Sequence, residues 1–291
     1  MRPVKSSTKL RLFSSLRLLT QNKEALAGTV IVVGFMLIAL MVSMSNLLGI
    51  QITPYNPIAQ NVGPPLASPS ITHLLGTDVV GRDVFSRIIV ATPNDVAVSL
   101  AVVGVALAAG AVIGSIAAFR GGLLDEGLMR FTDVIFALPA LVIAMAIGIA
   151  LGPGVTNMML ALMIIWWPPY ARLARGEALK VSHQNYIEAA RLSGLGTAKI
   201  LFKHVFRNIV VTMVVYATLD IGTVILVYAG LSYLGLSVRP PQPDWGEMVS
   251  AYQDYLITAP WLPVIPGFVI ALGVIGFSLL GDGLRDALEA R

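Results

Sequence analysis

Asp78, Arg82 and Asp83 place two carboxylates and a guanidinium within six residues, a spacing that suits either acid–base chemistry or an ion-paired loop. No nucleophile paired with a base stands out in the chain, so the ion-paired reading is preferred: an element that positions the following helix or docks a partner. Phosphate chemistry has no home here. The stretch Gly194-Leu195-Gly196-Thr197-Ala198-Lys199 lacks the spacing of a phosphate loop, so this chain is not expected to hydrolyse ATP itself. His73, His183 and His204 are too scattered for a metal motif, and the absence of cysteine excludes disulfides and thiolate sites. No metal or cofactor is expected on this chain. Asp220 is different, because it is the one acid in an otherwise uncharged run from Ile209 to Ser237. An ionised acid at mid-membrane costs roughly 2.5–3.5 kcal/mol on insertion scales. Tyr216 and Thr223, at i−4 and i+3, share nearly the same helix face and could bond to it. Asp220 then either lines a solute path or pairs with another helix or subunit.

The elements that must position these groups follow from hydropathy. The 291 residues are 56% hydrophobic and 12% charged, well below the ~25% charged residues of soluble domains. Uncharged runs at Ala25 to Leu48, Val96 to Phe119 and Trp261 to Leu280 each supply one span. The run from Val134 to Ala171 is divided by Gly152-Pro153-Gly154 into two, and Ile209 to Ser237 makes another. The predicted fold is an all-α membrane protein with six transmembrane helices. The first run is longer than a ~7–15-residue signal core and is read as a retained anchor. Five prolines between residues 50 and 72 make the following segment a loop.

Lysine and arginine fix the orientation. Six lie in the tail to Glu24, two at 120–130, seven at 172–208 and two after Leu280, whereas the other side holds only Arg82, Arg87 and Arg239. Both termini are predicted cytoplasmic. The net charge of +4 thus reflects membrane sidedness rather than nucleic acid. A membrane-tethered DNA binder also fits poorly with a basic hairpin held between two spans.

That hairpin, at 182–208, reads as two short helices with a turn at Gly194-Leu195-Gly196. Ser182 and Thr197 are candidate caps, and Glu188 falls in the first helix's early turns, where the dipole favours an anion. Ala189, Ala190 and Gly194 are small enough for another chain to approach, although on these residues alone a hairpin whose bases touch lipid headgroups is slightly favoured.

Glu188-Ala189-Ala190 followed by Gly194, after the fourth span, resembles the EAA motif of ABC importer permeases. Further segments narrow the likeness to the second permease of dipeptide, oligopeptide and nickel importers. They are Leu75-Gly76-Thr77-Asp78 with Gly81-Arg82-Asp83, Phe119-Arg120-Gly121-Gly122, Met129-Arg130-Phe131-Thr132-Asp133, Leu231 to Leu236 with Trp245-Gly246, and Leu280 to Asp286. The resemblance implies a type I ABC importer permease fold in a bacterial or archaeal cytoplasmic membrane. It implies a tail at 1–24, a first span and external loop at 25–93, and a permease core at 94–291 with its coupling loop at 172–208. Glu188, Ala189, Ala190 and Gly194 would couple to ATPase subunits. The expected partners are a related second permease, two ATP-binding subunits carrying ATP and Mg, and an extracytoplasmic solute-binding protein. That protein would dock on the side of Asp78, Arg82, Asp83 and Trp245.

The chain departs from the family pattern at Ala91-Thr92-Pro93-Asn94, at His204-Val205-Phe206-Arg207 and at Tyr228, where relatives often carry an acid. Tyr228 therefore joins Asp220, Tyr216 and Thr223 as a candidate for the translocation path. Peptides, oligosaccharides and nickel are all open as cargo. The competing class is a stand-alone secondary transporter or channel, which would show broken helices and polar membrane residues; no inverted repeat is apparent.

Overall fold

The computed structural model describes residues 22–289, so most of the predicted 1–24 tail lies outside the described residues. Helix α1, Lys23–Leu48, starts where the Asn22 side chain accepts the N–H groups of Glu24 and Ala25, and it stops at Gly49, whose φ of +67° few other residues adopt. A long loop then leads to α2, Val84–Arg120. This helix begins well before the apolar run at Val96, because Asp83 caps it through the N–H of Ser86 at 2.8 Å and Pro93 is accommodated inside it.

The middle of the chain is broken into short pieces: α3, Gly122–Phe136; α4, Ala140–Leu151; α5, Val155–Trp166; and α6, Pro168–Ser182. Proline accounts for the breaks. Pro139 ends α3, and α3 and α4 meet at 81°. Pro168 and Pro169 interrupt the passage from α5 to α6. The Gly152-Pro153-Gly154 turn is held by Asn157, whose amide donates to the carbonyls of Leu151 and Gly152 at 2.8 and 3.0 Å.

Beyond α6 come α7, Asn185–Leu192, and α8, Thr197–Ile200. A π-helical turn, Leu201–Val205, then leads into α9, Phe206–Tyr233. After the cis Pro240-Pro241 bond, α10, Trp245–Tyr252, and α11, Trp261–Glu289, complete the described chain.

Among the described residues, four helical stretches are long and apolar enough to cross a membrane: α1, α2, the π turn with α9, and α11. The bent α3–α4 pair makes a fifth candidate. The remaining predicted span, the fourth in chain order, falls on α5 and the start of α6. With 12 residues, α5 alone reaches only about 18 Å of a roughly 30 Å hydrocarbon layer.

Small residues let these helices close up, as expected where lipid offers no hydrophobic drive. A Cβ on Gly114 would stand 2.1 Å from the Ala171 carbonyl, so α2 and α6 touch backbone to backbone. One on Gly28 would stand 2.5 Å from the Leu280 nitrogen, which locks α1 against α11. The core between them is filled by Val102, Met158, Leu162, Tyr170, Met213, Ile225 and Tyr228.

Candidate functional site

The predicted residues separate into two ends of the bundle and one cavity between them. At one end, the loop before α2 packs on α10 and the start of α11. Asp78 is wholly buried; its Oδ1 accepts the N–H groups of Val80 and Arg82 at 3.0 and 2.9 Å. Its Oδ2 accepts from Arg82 Nε at 2.6 Å and the Tyr252 hydroxyl at 3.0 Å. Asp83 meets His73 Nδ1 at 2.9 Å while capping α2. Trp245 is buried against Phe35, and its indole N–H donates to the Ile88 carbonyl at 3.3 Å.

Other members of this end carry no mark in the sequence. Arg87 donates to the carbonyls of Pro57 and Pro241 at 3.1 and 3.0 Å and faces Glu247 at 3.4 Å. Asp244 caps α10 and accepts from Ser232 and Ser237. Burial pushes the carboxyl groups of both Asp244 and Glu247 above the ordinary carboxylate range. Hydrogen bonds from Ser232 and the α10 N–H groups oppose this at Asp244, and the charge of Arg87 opposes it at Glu247. Each charged group named here has a partner within the chain, although the Nε of Arg87 has none among the described residues, so the ensemble works as a fixed frame.

At the other end, Arg175 forms a two-pronged ion pair with Asp125, both contacts at 2.6 Å, and Arg172 pairs with Asp133. These pairs tie α6 to α3. The α6 helix continues to Ser182, which corrects the reading of Ser182 as the cap of the next helix. Its hydroxyl instead donates back to Leu179, and the N-cap of α7 is Gln184. On α7, Ile187 is buried, and Arg191, one turn on, lies over the Phe119 ring at 4.9 Å. The opposite face is uncovered: Glu188 and Ala189 are exposed, Ala190 is half-buried, and Leu192 is 87% exposed. Gly194 ends the helix in the left-handed region at φ +77°.

Between the ends lies Asp220. Its Oδ2 accepts the Trp166 indole N–H at 2.7 Å and the Tyr170 hydroxyl at 2.8 Å, so its partners come from α5 and α6 and not from Tyr216 or Thr223. Tyr216 packs edge-on against Tyr170 at 5.1 Å. Tyr216 and Asp220 line a 420 Å³ cavity with Trp166, Ile165 and the α3–α4 corner. Thr223 is exposed and does not line it. Tyr228 is fully buried elsewhere, with its hydroxyl bonded to Ser237. On α2, Asp95 is 1% exposed, and neither carboxyl oxygen has a partner in good hydrogen-bond geometry among the described residues.

Residues 110–291, more than half of the chain, match the family described as the inner membrane component of binding-protein-dependent transport systems. The chain belongs to that family. As one of its members it is a multi-pass inner-membrane permease subunit, and the family's role is transport rather than catalysis. The chain is similar to the dipeptide transport system permease DppC of Alkalihalophilus pseudofirmus, at 36% identity over 94% of this chain and 88% of that protein. It is also similar to the probable D,D-dipeptide transport permease DdpC of Escherichia coli K12, at 39% identity over 81% and 80%. The glutathione transport permease GsiD of Pectobacterium atrosepticum is 40% identical over 77% of this permease and 74% of its own length.

Proposed function

We propose that this permease forms half of the translocation path of an ATP-driven importer for dipeptides and related short peptides. A related second permease supplies the other half. Two ATP-binding subunits, holding ATP and Mg, sit beneath α7, and an extracytoplasmic binding protein delivers cargo at the Asp78–Trp245 end. The chain then spans the membrane six times, with α3–α4 as a bent third span, α5 running into α6 as the fourth, and both termini cytoplasmic. Arginine and lysine placement supports this orientation, as does the 3.4 Å contact that brings Asn22, at the head of α1, to Asp286 near the end of α11. The cargo class comes from the named relatives, each a permease for dipeptides or glutathione.

The observation that carries the coupling role is the two-faced α7. Ile187 and Arg191 clamp one face to the bundle, leaving Glu188, Ala189 and Leu192 free for a partner. Closure of the ATPase pair would push on this face, and the Arg175–Asp125 and Arg172–Asp133 pairs would pass the motion to α3. Because the chain has no cysteine, Ala189→Cys introduces a single thiol. In the permease pair alone it should react readily with a maleimide, and in the complete complex it should be protected. Equal labelling in both states would argue against ATPase docking on α7.

A further inference from the structure

Two helix breaks in the middle of the bundle converge on one carboxylate. The α3–α4 corner contributes Ile135, Phe136, Leu138, Pro139, Ala140 and Ile143 to the cavity wall, and the α5–α6 break contributes Ile165, Trp166 and Pro169. Broken helices at membrane depth are tolerated where they line a cavity, and the ends of half-helices there are a common way to bind charged solute groups. The α3 and α5 helices reach this cavity with their C-terminal ends, Phe136 and Trp166, and α4 and α6 with their first turns, Ala140 and Pro169, so the opposed helix dipoles largely offset one another there.

The backbone adds acceptors. Pro168 and Pro169 have no N–H, so the carbonyls of Ile164 and Ile165 lose the donors that a continuous helix would offer. Pro139, also without an N–H, offers no donor to the Ile135 carbonyl, which is met instead by the N–H groups of Ala137 and Leu138. Asp220 is the sole charged residue among those lining the cavity. Trp166 and Tyr170 both bond to its Oδ2, while Oδ1 has no hydrogen-bond partner among the described residues. Trp166 and Tyr216 add aromatic walls to the same space, while the Phe136 ring already carries the Arg172 guanidinium at 4.7 Å.

A carboxylate oxygen, carbonyls short of donors and aromatic walls together suit a cation with several N–H donors. The volume of 420 Å³ falls within the ~300–1,000 Å³ typical of small-molecule sites. From this convergence we infer that the cavity is a transit site for the protonated amino terminus of the peptide cargo, with Asp220 as its counter-ion. The inference rests on the reading of Asp220 as part of the path.

The test uses the assembled permease–ATPase complex without its binding protein. The signal is the tryptophan emission that is lost when Trp166→Phe is introduced. Alanylalanine and its methyl ester, which keep the ammonium, should change that emission. N-acetyl-alanylalanine should need a roughly tenfold higher concentration. Asp220→Asn, which retains an acceptor for Trp166 and Tyr170, should abolish the preference. Equal responses to the three probes, no response to any, or a preference that survives Asp220→Asn would overturn the inference. So would a change produced by sodium chloride alone that alanylalanine does not displace, since that marks an inorganic cation site. Uptake of alanylalanine by the complete system carrying Ala140→Phe, which narrows the cavity, separates this inference from the path reading. Reduced uptake without an ammonium preference removes only the ammonium; unchanged uptake removes the path and the inference with it.

Discussion

At the Asp78–Trp245 end, Asp78, Asp83, Arg87 and Asp244 are all at most 1% exposed, and each is met by donors or acceptors of the same chain. At the α7 end, one helix face is fastened by Ile187 and Arg191, while the other presents Glu188, Ala189 and an 87% exposed Leu192. Buried polar groups bonded to one another make a rigid frame, because losing any one partner strands another. An uncovered face beside a clamped one makes a contact that can be pushed without unfolding. Substitutions at the first end should therefore reduce stability, and substitutions on the free face of α7 should reduce coupling while leaving stability alone.

The largest expected effect is Arg87→Leu, which strands two carbonyls and Glu247; removing one partner of a buried pair costs about 3–5 kcal/mol. Thermal unfolding of the purified complex should fall accordingly. Adding Glu247→Gln should recover part of the loss, which would identify the stranded charge as the cause. Asp83→Ala removes the α2 cap and the His73 contact and should cost about 1–2 kcal/mol in the same assay. Gly194→Ala places a side chain at φ +77° and should cost about 1 kcal/mol, felt in local α7 protection from hydrogen exchange.

The smallest effects concern charge and an exposed side chain. The folded state raises the Asp244 carboxyl above its unfolded value, so its contribution to stability is complete at acid pH and declines as pH climbs through the raised value. Asp244→Asn removes that decline, so its stability relative to the unmodified complex should improve from acid to neutral pH. Leu192→Ser should leave thermal stability within about 0.5 kcal/mol of the parent, since the side chain is already exposed.

Hydropathy makes most of the helices legible, because a soluble fold would not tolerate uncharged runs as long as Ala25 to Leu48. The breaks are less legible. Gly152-Pro153-Gly154 reads as a turn, yet Pro139 and the Pro168-Pro169 pair, which shape the cavity, sit inside apolar runs and change no hydropathy signal. Asp220 stands out as an intramembrane acid, but its partners Trp166 and Tyr170 are 54 and 50 residues away, beyond any helix periodicity. Arg87 and Asp244 read as ordinary external charges, because only the folded loop buries them. Glu188 is recognisable through its neighbours Ala189, Ala190 and Gly194; that its face is uncovered depends on Ile187 being buried and Arg191 lying over Phe119.

If α7 transmits ATPase closure to the permease, reversing the charge on its free face should uncouple the machine. The most direct test is ATP hydrolysis by the complete complex carrying Glu188→Lys, measured with and without cargo-loaded binding protein after confirming that all subunits copurify. Transmission through α7 predicts an intact complex whose hydrolysis no longer responds to loaded binding protein and whose peptide uptake collapses. Hydrolysis that responds as in the parent complex, with uptake unchanged, would contradict it.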